Sequence, residues 1–143
     1  MFVNNSCVNI PFCENGDILI TAACGSQNLI GKHAIINNVM PNSATHGGFM
    51  LLVKSKNSFF LNSSMSTEWY RNYLANEVSG GNGSIGNINV SSLLKKQFLV
   101  PSDFEQQKIG QFFSSLDSLI HSQELKFEKL NNIKQALLEK MFC

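Results

Sequence analysis

The sequence predicts an α+β fold, a small mixed body over residues 1–100 followed by one long helix over residues 101–143. Three features point there. From Pro101 to Phe142 apolar residues recur at helical spacing. Before that, short apolar runs are bounded by Asn-Gly and glycine-rich turns, the pattern of strands. A chain of 143 residues has room for one sizeable core, and setting the helix aside leaves enough for a small globular body.

Taken in order, Asn15 and Gly16 predict a turn, Asp17 to Ala22 a buried strand, and Gly25 to Gly31 a polar loop. Lys32 to Val39 predicts a second strand, Pro41 to Gly48 a loop, and Phe49 to Lys54 a third strand. Residues 59–77 read as helix, with Ser66 or Thr67 before Glu68 as a start signal and Trp69, Tyr70, Tyr73 and Leu74 on an apolar side. The run Ser79 to Asn87 is loop, followed by a short strand near Ile88 and Val90, a helical turn from Ser91 to Leu94 and a strand from Gln97 to Val100. Pro101 ends that strand because it offers no ladder donor.

The terminal helix has a complete start signal. Ser102 can cap the first turn while Glu105, three residues on, reaches back to the cap amide. Ile109, Phe112, Phe113, Leu116, Leu119 and Ile120 fall on one broad face, and the stretch from Ile109 to Leu119 is expected to pack on the chain's own body. Phe127, Leu130, Ile133, Leu137, Leu138 and Met141 carry the stripe onward. About 40 helical residues span roughly 60 Å at 1.5 Å each, about twice the width of a small domain, so the far part needs a partner.

Charge is nearly balanced, 11 Lys and Arg against 10 Asp and Glu. The body is slightly basic and the tail slightly acidic, which permits nucleic-acid binding without demanding it. Cys7, Cys13, Cys24 and Cys143 lack paired metal-ligand spacing, and His33 and His46 are isolated, so free thiols and no metal are expected. Without a charged apolar leader or an 18-residue apolar run, the expectation is a soluble cytoplasmic protein with no membrane partner. Catalysis is not expected. Glu14, Asp17, Glu68 and Glu77 form no metal-nuclease cluster, and no repeated βα pattern offers a cofactor fold. Gly31-Lys32-His33 lacks the hydroxyl that a nucleotide-phosphate loop requires.

The stretch from Pro101 to Phe142 resembles the helix that ends a target-recognition unit in the specificity subunits of type I restriction-modification enzymes. The matching positions are Pro101, Glu105-Gln106, Lys108-Ile109, Leu116-Asp117, Leu119-Ile120, Lys126, Leu130, Lys134, Leu137-Leu138 and Met141-Phe142. Gly16 to Thr21, the Gly25 to Gly31 loop leading to Lys32, the loop Gly80 to Asn87 and Asn-Ile-Asn at 87–89 resemble the second half of such a recognition domain, in the same order. The resemblance runs from about Cys13 to the end.

It implies a non-catalytic DNA-reading subunit without cofactor. Its partners would be double-stranded DNA, the methyltransferase (modification) subunits and, through them, the restriction subunit. Family subunits carry two recognition domains joined by antiparallel helices. This chain shows one such helix and one partial body short of the usual first strands, so the resemblance implies a homodimer whose helices pair as an antiparallel coiled coil. The seam would use Leu116, Ile120, Phe127, Leu130, Leu137 and Met141, with Gln123 and Lys134 interrupting it to forbid other registers. The DNA-contact candidates are Thr21, Ser26, Gln27, Asn28 and Lys32 in the first loop region and Asn82, Ser84 and Asn87 in the second. Short polar side chains suit base edges, and Gln27 is the best of them; a cation such as Lys32 suits a phosphate. Each also fits an ordinary solvent-facing loop residue. The alternative is a helix-mediated assembly module with little or no DNA binding of its own.

Overall fold

The computed structural model describes residues 10–78 and 86–142. It shows an α+β body followed by a long C-terminal helix. Gly16, at φ +93°, makes the expected turn, and its amide donates to the Ile36 carbonyl at 2.9 Å. Strand β1 (Ile18–Thr21) follows and forms the centre of a three-stranded antiparallel sheet, flanked by β3 (His33–Ile35) and β4 (Met50–Val53). Ile18 and Ile20 are fully buried on one face of β1, which anchors the core. The register sets Ile20 opposite His33 on one side and Leu51 on the other.

The second strand is shorter than the sequence suggested. Pairing lasts only while β1 is available, and Asn38 at φ 59° then bends the chain out of an extended path. A two-residue strand, β2 (Ala23–Cys24), continues from β1 and pairs antiparallel with β5 (Gly86–Asn87).

The predicted helix over 59–77 is two helices, α1 (Ser58–Met65) and α2 (Glu68–Glu77). Thr67 is extended, and its hydroxyl donates to the Ser64 carbonyl at 2.7 Å, closing the first helix and opening the second. The break lets Met65, Tyr70 and Tyr73 all enter the core with Ile18, Ile20, Ile30 and Ile88. Val90 opens helix α3 (Val90–Leu94) rather than continuing a strand, because the Asn89 side chain caps the helix by accepting from the Ser92 amide at 3.1 Å. Residues 97–100 are not a strand either. Phe98 stacks on Trp69 at 4.4 Å between ring centroids, while Leu99 is fully exposed and no neighbouring strand offers a ladder among the described residues.

Helix α4 (Asp103–Met141) has the expected start. The Ser102 amide donates to the Glu105 carboxylate at 3.0 Å, and the Glu105 amide donates to the Ser102 hydroxyl at 3.4 Å. Its packing face differs from expectation. The side turned to the body is Gln106, Gly110 and Ser114, spaced by four, and Gly110 alone is buried. Ile109 and Leu116 remain 37 % exposed, and Phe112, Leu119 and Ile120 are more exposed still. The reason is proximity. α1 approaches α4 so closely at Gly110 that a side chain there would collide with the Phe59–Phe60 backbone. Asn57 donates to the Gln106 side-chain carbonyl at 3.0 Å, and Lys56 pairs with Asp103 at 2.6 Å, fixing the helix start to the body. From Ser115 to Phe142 every residue is exposed.

Candidate nucleic-acid interface

Strand register gathers the described candidate residues at one end of the sheet. Thr21 closes β1 opposite Met50, and Lys32 immediately precedes β3. Two backbone bonds lock them together: the Thr21 amide donates to the Lys32 carbonyl at 2.9 Å, and the Gly31 amide donates to the Thr21 carbonyl at 2.8 Å. Gly31 sits at φ +79°, a conformation that favours glycine, and packs directly beneath Leu74. Between these points Gln27–Leu29 forms a single 3₁₀ turn, with the Leu29 amide donating to the Ser26 carbonyl at 3.1 Å. Ser26, Asn28 and Lys32 are exposed and Thr21 is half-buried.

Asn87 arrives through the β2–β5 pair. Cys24 lies opposite Gly86 and Ala23 opposite Asn87, so the chain enters β5 beside the point where it leaves β2 for Ser26. Asn87 is exposed while Ile88, next to it, is buried in the core. Thr21, Ser26, Asn28, Lys32 and Asn87 therefore share one end of the body. Asn82 and Ser84 lie outside the described residues, as does the side chain of Gln27, whose backbone is part of the 3₁₀ turn.

Two of the body's carboxylates lie at the far end of the sheet. Glu14 and Asp17 sit at the opposite end of β1, roughly 13 Å from Thr21 at about 3.3 Å per residue. Both are paired with Lys54, at 2.8 and 3.7 Å, and the hydrogen bond to Glu14, before any other influence, holds the Lys54 ammonium above its ordinary pKa. Lys32 makes no ion pair among the described residues, leaving its charge available to solvent or a phosphate. Glu14 and Asp17 are thus distant and paired, while Glu77, one turn beyond the Leu74 that packs on Gly31, is paired with Lys96 at 3.3 Å.

A family model described as the type I restriction modification DNA specificity domain matches residues 5–135. The chain belongs to that family. This specificity domain therefore serves sequence-specific DNA binding within a type I restriction-modification complex, a non-catalytic role. Neither the curated proteins nor the solved structures compared gave a match to it. Among the described residues of the specificity domain no cluster of His, Cys, Asp and Glu is arranged to hold a metal, and no helix is long and apolar enough to cross a membrane. Cys13 is buried, its thiol pushed up by burial and then by Asp17, and Cys24 is half-buried; both are free.

One exposed residue at the loop end was not visible as a candidate in the sequence. Phe49, 65 % exposed, accepts through its carbonyl from the Ala22 and Ala23 amides at 2.8 and 3.1 Å, which fixes an aromatic residue beside the β1–β2 junction. Only the pairing of Met50 with Thr21 places it there.

Proposed function

We propose that the body, residues 1–100, reads one half of a split DNA site with Thr21, Ser26, Gln27, Asn28, Asn82, Ser84 and Asn87 near base edges and Lys32 on a phosphate. We further propose that residues 101–143 join two copies as an antiparallel coiled coil and dock the methyltransferase subunits, which in turn recruit the restriction subunit. The observation that carries the DNA reading is the β2–β5 pair, which sets Asn87 beside the chain leaving Cys24 for Ser26, at the sheet end where Lys32 stands without an ion pair among the described residues. Short polar groups and approachable backbone at one edge, beside a lysine, are what base and phosphate contacts require.

The assembly reading is supported by the exposed apolar stripe of α4. Phe127, Leu130, Ile133, Leu137 and Met141 are each more than half exposed on a helix that reaches beyond its body. Single exposed apolar residues are ordinary, but a continuous stripe marks an interaction surface. Fluorescence anisotropy with duplexes at two salt concentrations tests the DNA reading. Binding that weakens as salt rises supports it, and absence of binding by the assembled protein leaves the helix as a pure assembly module.

A further inference from the structure

The apolar path on α4 has a property that the bare stripe does not reveal. Heptad positions along the exposed part are occupied by Leu116, Ile120, Gln123, Phe127, Leu130, Lys134, Leu137 and Met141, separated by alternating steps of four and three. Reversed, the steps are the same, so the path is symmetric about a point between Glu128 and Lys129. An antiparallel copy related by a two-fold axis at that point sets Leu116 on the partner's Met141, Ile120 on the partner's Leu137, and Phe127 on the partner's Leu130. Gln123 then falls opposite the partner's Lys134. The two polar residues that interrupt the seam meet each other, twice per pair.

We propose that this polar layer, Gln123 against the partner's Lys134, selects the second copy of this chain as the occupant of the α4 face and fixes its register. The inference rests on the two-copy reading above and adds the pairing scheme. Chemistry favours this register over its neighbours. The Lys134 ammonium has three donors and no acceptor, and the Gln123 carbonyl is an acceptor at the same level. Slid by one heptad in one direction, Lys134 meets Leu116 and Gln123 meets Phe127. Slid in the other, Gln123 meets Met141 and Lys134 meets Leu130. Either slide faces polar heads with apolar side chains and leaves them without a partner. A parallel pair would oppose two Lys134 ammonium groups in one layer, a like-charge contact.

The dimensions suit a specific interface. The path from Leu116 to Met141 is about 38 Å long at 1.5 Å per residue, and a seam of helical width along it buries on the order of 1,000 Å² over two copies. All eight positions are exposed in the single chain, so nothing of its own body competes for them. The register also has a consequence for DNA. Each body is attached at Gly110, so the two attachment points lie about 55 Å apart along the helices at 1.5 Å per residue.

Sedimentation of the full chain tests the inference. The wild type is expected to dimerise, and Gln123→Glu to dimerise about two- to ten-fold more tightly, more so at low salt, because the introduced carboxylate would face the partner's Lys134. The reversed pair, Gln123→Lys with Lys134→Glu, is expected to dimerise at least as tightly as the wild type. In a parallel pair both variants create like-charge layers and loosen assembly. A wild type that stays monomeric at about 100 µM, well above ordinary specific affinities, overturns the two-copy reading and the register with it. A wild-type dimer that Gln123→Glu loosens or leaves unchanged overturns the register alone. These residues are solvent-facing in the monomer, and circular dichroism checks that each variant retains its helix.

Discussion

A Cβ built on Gly110 would lie 2.7 Å from the backbone nitrogen of Phe60, closer than packed atoms tolerate. This pair decides which side of α4 meets the body. The small residue draws α1 in; Ile109 and Phe113 flank the contact beside Phe60, while Phe112, Leu119 and Ile120 face solvent.

Replacing Gly110 tests that relationship. Alanine gains about 1 kcal/mol of helix propensity, whereas overpacking a close contact costs about 1–3 kcal/mol, so Gly110→Ala is expected to be near neutral to moderately destabilising. Gly110→Leu has the same kind of gain and a far larger clash. It is expected to lower the denaturation midpoint of the body while far-UV circular dichroism retains the α4 signal. A midpoint unchanged in Gly110→Leu would show that the helix does not dock through this residue.

Gly31→Ala probes the loop end. A side chain at φ +79° costs about 1–2 kcal/mol, and its Cβ would press into the Leu74 methyl groups, a clash that a leucine rotamer change can relieve only in part. The amide of Gly31 also holds the Thr21 carbonyl, so DNA affinity should fall together with stability. Equal DNA binding in a measurably destabilised variant would separate this turn from the reading surface.

Lys32→Ala should weaken binding to all duplexes by a similar factor and reduce the slope of log affinity against log salt by about 1, the signature of one lost phosphate contact. Gln27→Ala should instead relax discrimination at one base pair by roughly 1–3 kcal/mol. The titrations are compared for cognate and random sequences. An unaltered salt slope for Lys32→Ala removes it from the phosphate backbone.

Leu130→Asp with Leu137→Asp should abolish pairing, because four carboxylates per pair would enter an apolar seam. Loss of bivalency then lowers apparent DNA affinity without altering the body. A double variant that sediments as the wild type does and still supports methylation in a reconstituted complex would end the seam assignment.

The α4 start is expected to depend on pH. The Ser102 side chain, and then its backbone amide, hold the Glu105 carboxyl below the ordinary glutamate range. A depressed carboxyl pKa contributes stability that is complete above the unfolded value of about 4.3 and is lost as pH falls through the lower folded value. The protection factors of the Glu105 and Gln106 amides, corrected for the intrinsic slowing of exchange in acid, should therefore fall below about pH 4. Ser102→Ala should shift that onset upward and cost about 1 kcal/mol at neutral pH. Acid-insensitive protection would show that the capping box does not hold the helix start.

The sequence by itself determined the elements whose signals are local. The capping box at Ser102 and Glu105, the turn at Gly16 and the central strand around Ile18 and Ile20 follow from nearest-neighbour hydrogen bonding and alternation, and they stand where they were expected. The family was legible too, because much of the resemblance runs along the contiguous stretch from Pro101 to Phe142. Tertiary structure decided what depends on approach between distant segments. The β2–β5 pair that brings Ser26 and Asn87 to one edge joins segments far apart in the chain, and no local pattern encodes so short a ladder. Phe98 lost its strand to a stack on Trp69. The face of α4 that meets the body was set by Gly110, because a stripe of large apolar residues announces burial without saying against what, whereas close packing of two helix backbones requires the one position with no side chain.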